Sequence, residues 1–369
     1  MTEDKKYWVA FSHFPGIGPL RFKLLFGYFG NAQKAWEASE KEFIDIGLGE
    51  KITWRFANFR KNFDFERKFD ELTKKGIEVV TLNDEYYPKL LSQIPDPPFV
   101  LYIRGNLNKD WGWERMIAVV GTRKITGYGM AVTRKITEGL VINNMTIVSG
   151  MAYGVDTVAH ETAIKNQGKT IAVLGCGVDI IHPVSNTRLY WQIIKENGLV
   201  ISEFPPGQMA TKGLFPARNR IISGLCLGVV ITEGTIKSGA LITARNAAEQ
   251  GREVFAVPGP ITSELSDGPT MLLKHGAKLV TQVQDVLEEL KINSKSEYRN
   301  PKKIPNSNYQ SLSKEEKIII ELLTRESLHF DDLVRESGLL SSTVGSLLTE
   351  LEMKNIINKH NDGKYYRVN

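Results

Sequence analysis

The sequence predicts an α/β protein built on a doubly wound, mostly parallel sheet, and two observations lead to this prediction. Short, nearly uninterrupted runs of Val, Ile and Leu recur through the middle of the chain, at 117–120, 146–149, 170–174, 199–202, 227–232 and 253–257. Stretches with helical spacing of apolar residues lie between several of them, at 128–143, 155–166 and 240–250. Apolar strands that alternate with helices are typical of a parallel sheet covered on both faces.

The preceding residues, 1–75, are predicted to form a domain of short helices. Glycine-containing turns at 14–19 and 46–49 are each followed by a helical stretch. They resemble the hairpins of a helix-hairpin-helix motif, in which turn N–H groups face a phosphate. The same glycines would serve equally well as tight turns between packed helices, and the pattern leaves both interpretations open. Strand-like segments at 77–82 and 98–103 then begin the α/β domain, which we place at 76–290.

Beyond this domain, residues 291–311 are rich in Lys, Pro, Ser and Asn and predict a polar basic linker. Residues 312–369 are predicted to form a separate domain. Helices are expected to begin near Ser313, Asp331 and Ser341, and two strand-like segments flank the turn residues Asn361-Asp362-Gly363. Three helices and a β-hairpin describe a winged-helix module.

Composition indicates a globular protein. The chain has 369 residues, of which 42% are hydrophobic and 24% charged, so it can hold two or three domains with proper cores. No apolar run of about 18 residues and no signal-peptide core are present, so we expect a cytoplasmic protein without membrane association. Cys176 and Cys226 lie in or beside apolar segments and are expected to be buried thiols rather than a disulfide.

The net charge of +5 is unevenly distributed. Residues 115–260 contain 15 Lys and Arg against 9 Asp and Glu, and residues 291–310 contain 5 against 1. The C-terminal residues 311–369 are slightly acidic, with 8 against 10. A polyanion would therefore be attracted to the middle domain and the linker.

Glycine-containing turns follow several predicted strands, where bare backbone N–H groups can bind an anion. The candidates are Gly121-Thr122-Arg123, Ser149-Gly150 and Ser238-Gly239. Their spacing does not match the GxGxxG pattern, and no acidic residue for a ribose follows at the expected place. Nicotinamide cofactor binding is therefore disfavoured, and we predict no cofactor.

The segment from Lys212 to Gly224 is the most informative in the chain. Its chemistry-bearing residues are predicted to lie in a loop that leads into an apolar strand, and they are Lys212, Phe215, Arg218, Asn219 and Arg220. Cations that bind phosphates and a ring on which bases stack are the components of a single-stranded nucleic-acid site. The structural alternative is that Phe215 belongs to the core and that Arg218 and Arg220 pair with Glu203 or Glu233.

Catalysis receives little support. Asp156 and His160 lie one helical turn apart, but no nucleophile accompanies them, so helix capping by Asp156 and local hydrogen bonding by His160 are favoured. The six histidines are scattered, and no Cys/His spacing fits zinc. We therefore predict no metal site and no enzymatic activity.

The order of these motifs resembles the DNA-processing protein A (DprA/Smf) family. The resemblance is collinear over about 76–290 and extends to the flanking helical and winged-helix regions. It is carried by the segments 120–123, 149–156, 171–179, 215–222, 238–244 and 257–259.

The resemblance implies an extended Rossmann-like domain that binds single-stranded DNA, preceded by a SAM-like or helix-hairpin-helix domain. It also implies a homodimer that protects incoming DNA in natural transformation and helps to load a RecA-type recombinase. Arg123, Lys212 and Phe215 would be the main DNA contacts, and residues 218–220 would shape or line the same groove. Tyr153 stands where many relatives are expected to have Arg, so we expect a different path of the strand there.

Two rival functions remain. A nucleotide-processing hydrolase of the lysine-decarboxylase-like Rossmann group would share phosphate-binding turns, but it usually has a double glycine where this chain has Glu233-Gly234. A winged-helix transcription factor would need basic residues on its third helix, whereas the segment 341–353 has none and carries Glu350 and Glu352. A protein-contact role for the C-terminal domain is at least as well supported.

Overall fold

The computed structural model describes residues 4–107, 111–292, 313–325, 327–353, 356–359 and 363–367. The chain divides into two compact units, Met1–Ser296 and Glu297–Asn369. Residues 293–311 of the predicted linker lie outside the described residues.

Six short helices begin the first unit: α1 Lys5–Ser12, α2 Pro19–Phe29, α3 Ala32–Glu37, α4 Glu40–Asp45, α5 Glu50–Lys61 and α6 Phe65–Lys74. Local signals set their ends, since Ser39 and Glu42 form a capping box on α4 and Gly30 ends α2 in the left-handed conformation. Aromatic rings fill the core between these helices, and the ring centroids of Phe11 and Phe56 are 5.2 Å apart. Phe22 stacks on Phe99 at 4.1 Å, so the helices share a core with the sheet that follows.

The sheet of the first unit has nine strands: β1 Glu78–Thr81, β2 Val100–Gly105, β3 Met116–Val120, β4 Thr146–Ser149, β5 Thr170–Val173, β6 Gly198–Ser202, β7 Gly228–Ile231, β8 Glu253–Ala256 and β9 Lys278–Leu279. Their order is β1-β2-β6-β5-β4-β3-β7-β8-β9. The strands from β6 to β9 in this order are parallel, and β2 and β1 add an antiparallel edge. From β3 the successive strands are added on one side as far as β6 and on the other side from β7 to β9, as in a doubly wound fold.

Helices cover both faces of this sheet: α7 Lys89–Ser92, α8 Gly127–Ile142, α9 Val155–Lys165, α10 Thr187–Lys195, α11 Leu214–Leu225, α12 Gly239–Glu249, α13 Asp267–Lys274 and α14 Val283–Glu289. Side chains of α11 and α12 pack on one face, and side chains of α8, α9 and α14 pack on the other. The predicted fold class is therefore confirmed as a mostly parallel, Rossmann-like α/β sheet.

One local prediction is wrong. Residues 214–225 form helix α11, whereas we expected a loop that runs into a strand. Arg218, Ile221, Ile222 and Leu225 are buried with helical spacing, and Pro216 lies in the first turn, where it breaks no helical hydrogen bond. Ile221 and Ile222 by themselves suggest a strand, and the helical spacing becomes visible only when Arg218 and Leu225 are included.

The second unit has the predicted winged-helix elements. Its helices and strands are α15 Lys314–Arg325, α16 Phe330–Ser337, α17 Ser341–Met353, β10 Ile357–Lys359 and β11 Tyr365–Arg367. The two strands pair antiparallel, with Asn358 opposite Tyr366. Leucine and isoleucine side chains of all three helices and of β10 form the core. Of the predicted turn only Gly363 is described, and its φ of 91° requires the freedom of glycine.

Candidate nucleic-acid interface

The start of helix α11 is the structural centre of the candidate site. Parallel strands bring the loops that follow β3, β4, β5, β6 and β7 to one edge of the sheet. Side chains near the beginning of α11 contact several of these loops. The helix therefore holds together segments that are far apart in sequence.

Arg218 fastens α11 to the loop after β4. It is 5% exposed, and its Nη1 donates hydrogen bonds to the carbonyl oxygens of Gly150, at 2.8 Å, and Val173. Burial lowers the pKa of Arg218 to about 10, so the guanidinium stays charged at neutral pH. Arg218 therefore supports the site from the protein interior and is not exposed on its surface.

The two residues that follow fasten the helix elsewhere. Asn219 Nδ2 donates to the carbonyl oxygen of Gly239 at 3.2 Å, which joins α11 to the start of α12. Arg220 pairs with Asp96 at 3.0 Å and with Glu203 after β6. Burial raises the pKa of the Glu203 carboxyl, and the Arg220 charge opposes this shift. The structure therefore shows the alternative that the sequence left open for Arg220, an ion pair with Glu203.

Arg123, Lys212 and Phe215 occupy a different position. The Arg123 guanidinium carbon lies 5.8 Å from the centroid of the Phe215 ring, within the range of a cation–π contact. Arg123 and Lys212 are exposed, and neither forms an ion pair with any described residue. Phe215 is half-buried, and its ring passes so close to Gly175 that a Cβ there would lie 3.0 Å from Cδ1. A cation and a ring thus meet at this edge, and a second cation without an ion pair among the described residues precedes the ring by three residues.

Two further aromatic residues lie in neighbouring loops of this edge. His182, in the loop after β5, is exposed, and its ring centroid is 5.3 Å from that of Phe215. His182 was not among the residues predicted for the site, because the sequence shows it as one of six scattered histidines. Its position after a predicted strand was the signal that could have indicated it. Tyr153 is 50% exposed and precedes Gly154, which packs against the backbone of Thr122 and Arg123.

The predicted anion-binding turn at Gly121-Thr122 is already filled by the chain itself. The N–H of Thr122 donates to the carbonyl oxygen of Glu233 at 2.7 Å. The buried Glu233 carboxylate accepts hydrogen bonds from the backbone N–H of Thr126, at 3.0 Å, and from its hydroxyl, at 2.6 Å, at the start of α8. A carboxylate thus occupies the helix N-terminus where a bound phosphate would lie. The prediction that Thr122 offers a free N–H is wrong for this reason.

The turn at Ser149-Gly150 is filled in the same way. The N–H groups of Gly150 and Ala152 donate to Oδ2 of Asp156, at 3.0 and 3.3 Å, and the Ser149 hydroxyl donates to the carbonyl oxygen of Val119. Burial raises the pKa of Asp156, while the Arg218 charge opposes the shift. These contacts engage the donor groups through which Ser149 and Gly150 were expected to bind phosphate.

The remaining candidates also have structural partners. Ser238 caps α12, since its hydroxyl accepts from the N–H of Ala240 at 3.3 Å and its own N–H donates to Thr235. Gly239 follows it and accepts the bond from Asn219. His160 is bonded through Nδ1 to the Thr170 hydroxyl at 2.7 Å, and not to Asp156. Both residues therefore have a structural role, but Asp156 accepts hydrogen bonds from the loop before α9 and does not cap the helix as expected.

Two observations concern the described residues as a whole. No group of three or more His, Cys, Asp or Glu among them is arranged to hold a metal ion. None of their helices combines the length and the apolar character needed to cross a membrane.

The fold and the site together define a Rossmann-like protein with an exposed cationic, aromatic sheet edge and a winged-helix module. Residues 78–291 match the family model described as DNA recombination-mediator protein A, and residues 304–363 match the DprA winged helix domain. The chain therefore belongs to the DprA/Smf family of DNA-processing, recombination-mediator proteins.

Three relatives show how far the similarity extends. DNA processing protein DprA of Streptococcus pneumoniae is 49% identical over 206 residues, which are 56% of this chain and 72% of that protein. An X-ray structure of DprA from the same organism matches with a TM-score of 0.67 and 39% identity, and covers 78% of this chain and 98% of that one. A structure of Helicobacter pylori DprA, described as giving insight into its single-stranded DNA binding mode, has a TM-score of 0.52 and 33% identity, with coverage of 58% and 95%.

Proposed function

We propose that this protein is a non-enzymatic recombination mediator that binds single-stranded DNA at the edge of its sheet. The observation that carries the proposal is the contact between Arg123 and Phe215, with Lys212 exposed three residues before the ring. Cations beside a ring can bind phosphates while an adjacent base stacks. Family membership supports this function over the nucleotide hydrolase, and the single-stranded DNA binding mode described for the Helicobacter pylori relative supports the choice of single strands.

The mechanism is capture without chemistry. Arg123 and Lys212 bind consecutive phosphates, and Phe215 stacks with a base, which every base permits because each has a flat face. The bonds of Arg218, Asn219 and Arg220 hold α11 in place before DNA arrives. The site is therefore preorganised, and less ordering entropy is lost on binding.

The proposal extends to the biological role. By covering single strands, the protein would protect DNA taken up in natural transformation, and as a homodimer it would help a RecA-type recombinase to assemble on them. The acidic third helix of the winged-helix unit favours contact with a protein over contact with duplex DNA.

A titration of a fluorescent dT oligonucleotide at several salt concentrations tests the binding site. The double variant Arg123→Ala/Lys212→Ala should bind at least tenfold more weakly, and the slope of log K against log salt should become shallower by about 1.4, since each lost phosphate contact removes about 0.7. The matched control is Arg134→Ala/Lys135→Ala, which removes the same two residue types from exposed positions farther along α8. Equal binding by the two double variants would contradict the proposed site.

Two additional measurements test the wider role. A duplex of the same length should bind more weakly than the single strand. RecA-type filament assembly on strands covered with single-strand-binding protein should be accelerated by the native protein and not by the Arg123→Ala/Lys212→Ala variant. Acceleration by both proteins would show that recombinase loading does not depend on this site.

A further inference from the structure

We propose that His182 is a second stacking position for the bound strand, next to Phe215. The inference rests on the proposed single-stranded DNA site and adds to it a residue that binds a neighbouring base. The strand would pass from Arg123 over Phe215 to the loop after β5.

The rings of His182 and Phe215 are in contact, and His182 is exposed. Their centroids are 5.3 Å apart and their planes are inclined by 35°. Arg123 approaches the same Phe215 ring, with its guanidinium carbon 5.8 Å from the centroid. A cation and an imidazole ring thus contact the same phenyl ring, and this cluster combines a phosphate-binding group with two rings, as a strand of alternating phosphates and bases requires.

The imidazole of His182 is available for a ligand. The side chain is exposed, and its ring nitrogens form no hydrogen bond with the described residues. His160 differs in both respects, because its ring is completely buried and is hydrogen-bonded to Thr170. A role in the core therefore does not account for His182, and among the residues that the structure describes its one ring contact is with Phe215.

The loop that carries His182 is held on both sides. Before it, Asp179 accepts a hydrogen bond from the N–H of Gly207 at 2.8 Å and forms an ion pair with Lys75 at 2.7 Å. After it, Asn186 is buried and its Nδ2 donates to the carbonyl oxygen of Met151 at 2.9 Å. A ring on such a fixed loop loses little conformational entropy when a base stacks on it, so more of the stacking free energy contributes to affinity.

Stacking predicts a specific signature. Alanine substitution of a ring that stacks on one base typically lowers affinity about 5- to 100-fold, with little dependence on sequence. Loss of a stacking ring should leave the salt dependence unchanged, because no phosphate contact is removed. This separates His182 from Arg123 and Lys212, whose removal should reduce the salt slope.

The test is a double-mutant cycle on dT oligonucleotide binding, with His182→Ala, Phe215→Ala and the double variant. We expect His182→Ala to weaken binding about 5- to 100-fold in the native background, and still at least threefold in the Phe215→Ala background. His182→Tyr should retain near-native affinity, and a 2-aminopurine base in the strand should lose part of its binding-induced fluorescence change with His182→Ala. Thermal unfolding of each variant shows that the fold is intact.

The outcomes separate this inference from the proposed function. If His182→Ala has no effect in the Phe215→Ala background, His182 only supports the phenyl ring and the inference is overturned. If His182→Ala binds normally while Arg123→Ala/Lys212→Ala does not, the site stands and the second stacking position is rejected. If neither variant changes binding, the proposed function itself fails.

Discussion

The carbonyl oxygen of Gly150 accepts a hydrogen bond from Arg218 Nη1 at 2.8 Å, and a Cβ added to Gly150 would lie 2.7 Å from Nη2 of the same guanidinium. The glycine is therefore required by the close approach of a buried arginine. It is not a bare anion-binding turn, since its N–H already donates to Asp156.

Gly150→Ala should destabilise the first unit. The new methyl group would displace the Arg218 guanidinium from its carbonyl acceptors, and overpacking of this kind costs about 1–3 kcal/mol. Gly27→Ala is the matched control, because Gly27 lies in α2 with nothing within 4 Å of a Cβ, and there we expect a gain of about 0.5–1 kcal/mol. Urea unfolding measures both, and equal stability of Gly150→Ala and the native protein would contradict the packing argument.

His160 should make the stability of the first unit depend on pH. Burial and the nearby Arg218 charge lower the pKa of His160 to about 3, whereas an unfolded histidine takes up a proton near pH 6.5. Its contribution is therefore fully present above about pH 6.5 and is lost as the pH falls, by about 1.4 kcal/mol per pH unit. Urea unfolding between about pH 7.5 and 5 should show this loss in the native protein and a shallower one in His160→Asn.

The control for this pH dependence is His182→Ala. It removes a histidine that is exposed, so the native decline of stability with falling pH should persist. A decline that is identical in the native protein and in His160→Asn would show that other groups cause it.

Tyr153→Arg should strengthen binding of single-stranded DNA at low salt. Tyr153 is exposed, and the next residue, Gly154, packs against the backbone of Thr122 and Arg123, so the substitution adds a cation in a loop beside the proposed path of the strand. The salt slope should become steeper by about 0.7, the value for one additional phosphate contact. Tyr28→Arg, at an exposed position on α2, adds the same charge elsewhere and should change the slope less. A slope that is equal in both variants would place Tyr153 outside the path of the strand.

Asp179→Ala should weaken DNA binding without altering its salt slope. The carboxylate joins the loop that carries His182 to the loop that leads to Lys212, through the N–H of Gly207. Burial would raise the pKa of Asp179, but hydrogen bonds from Lys75 and Gly207 lower it overall, so the group is ionised at neutral pH. Lys75→Ala removes only the ion pair, which is partly exposed, and should have a smaller effect. Equal affinities for the native protein and Asp179→Ala would exclude a positioning role.

The strands and most helices of the α/β domain could be predicted from the sequence because hydrophobic periodicity is local. The segment 146–149 is a strand with the same bounds in the structure, and Val155 begins a helix as expected. Helix α11 was missed because its isoleucines suggest a strand when the longer period through Arg218 and Leu225 is overlooked.

Residue types in the sequence led to the prediction of Arg123, Lys212 and Phe215 as contacts, since cations and rings have a chemistry that is independent of their neighbours. Whether an N–H group or an arginine is free depends on partners that are distant in the chain. Glu233 lies 107 residues from Thr126, and Gly150 lies 68 residues from Arg218. Folding brings such pairs together, and hydrogen bonding in the interior then removes them from the surface that DNA can reach. The ring of His182 reached the site in the same way, by the packing of one loop against another.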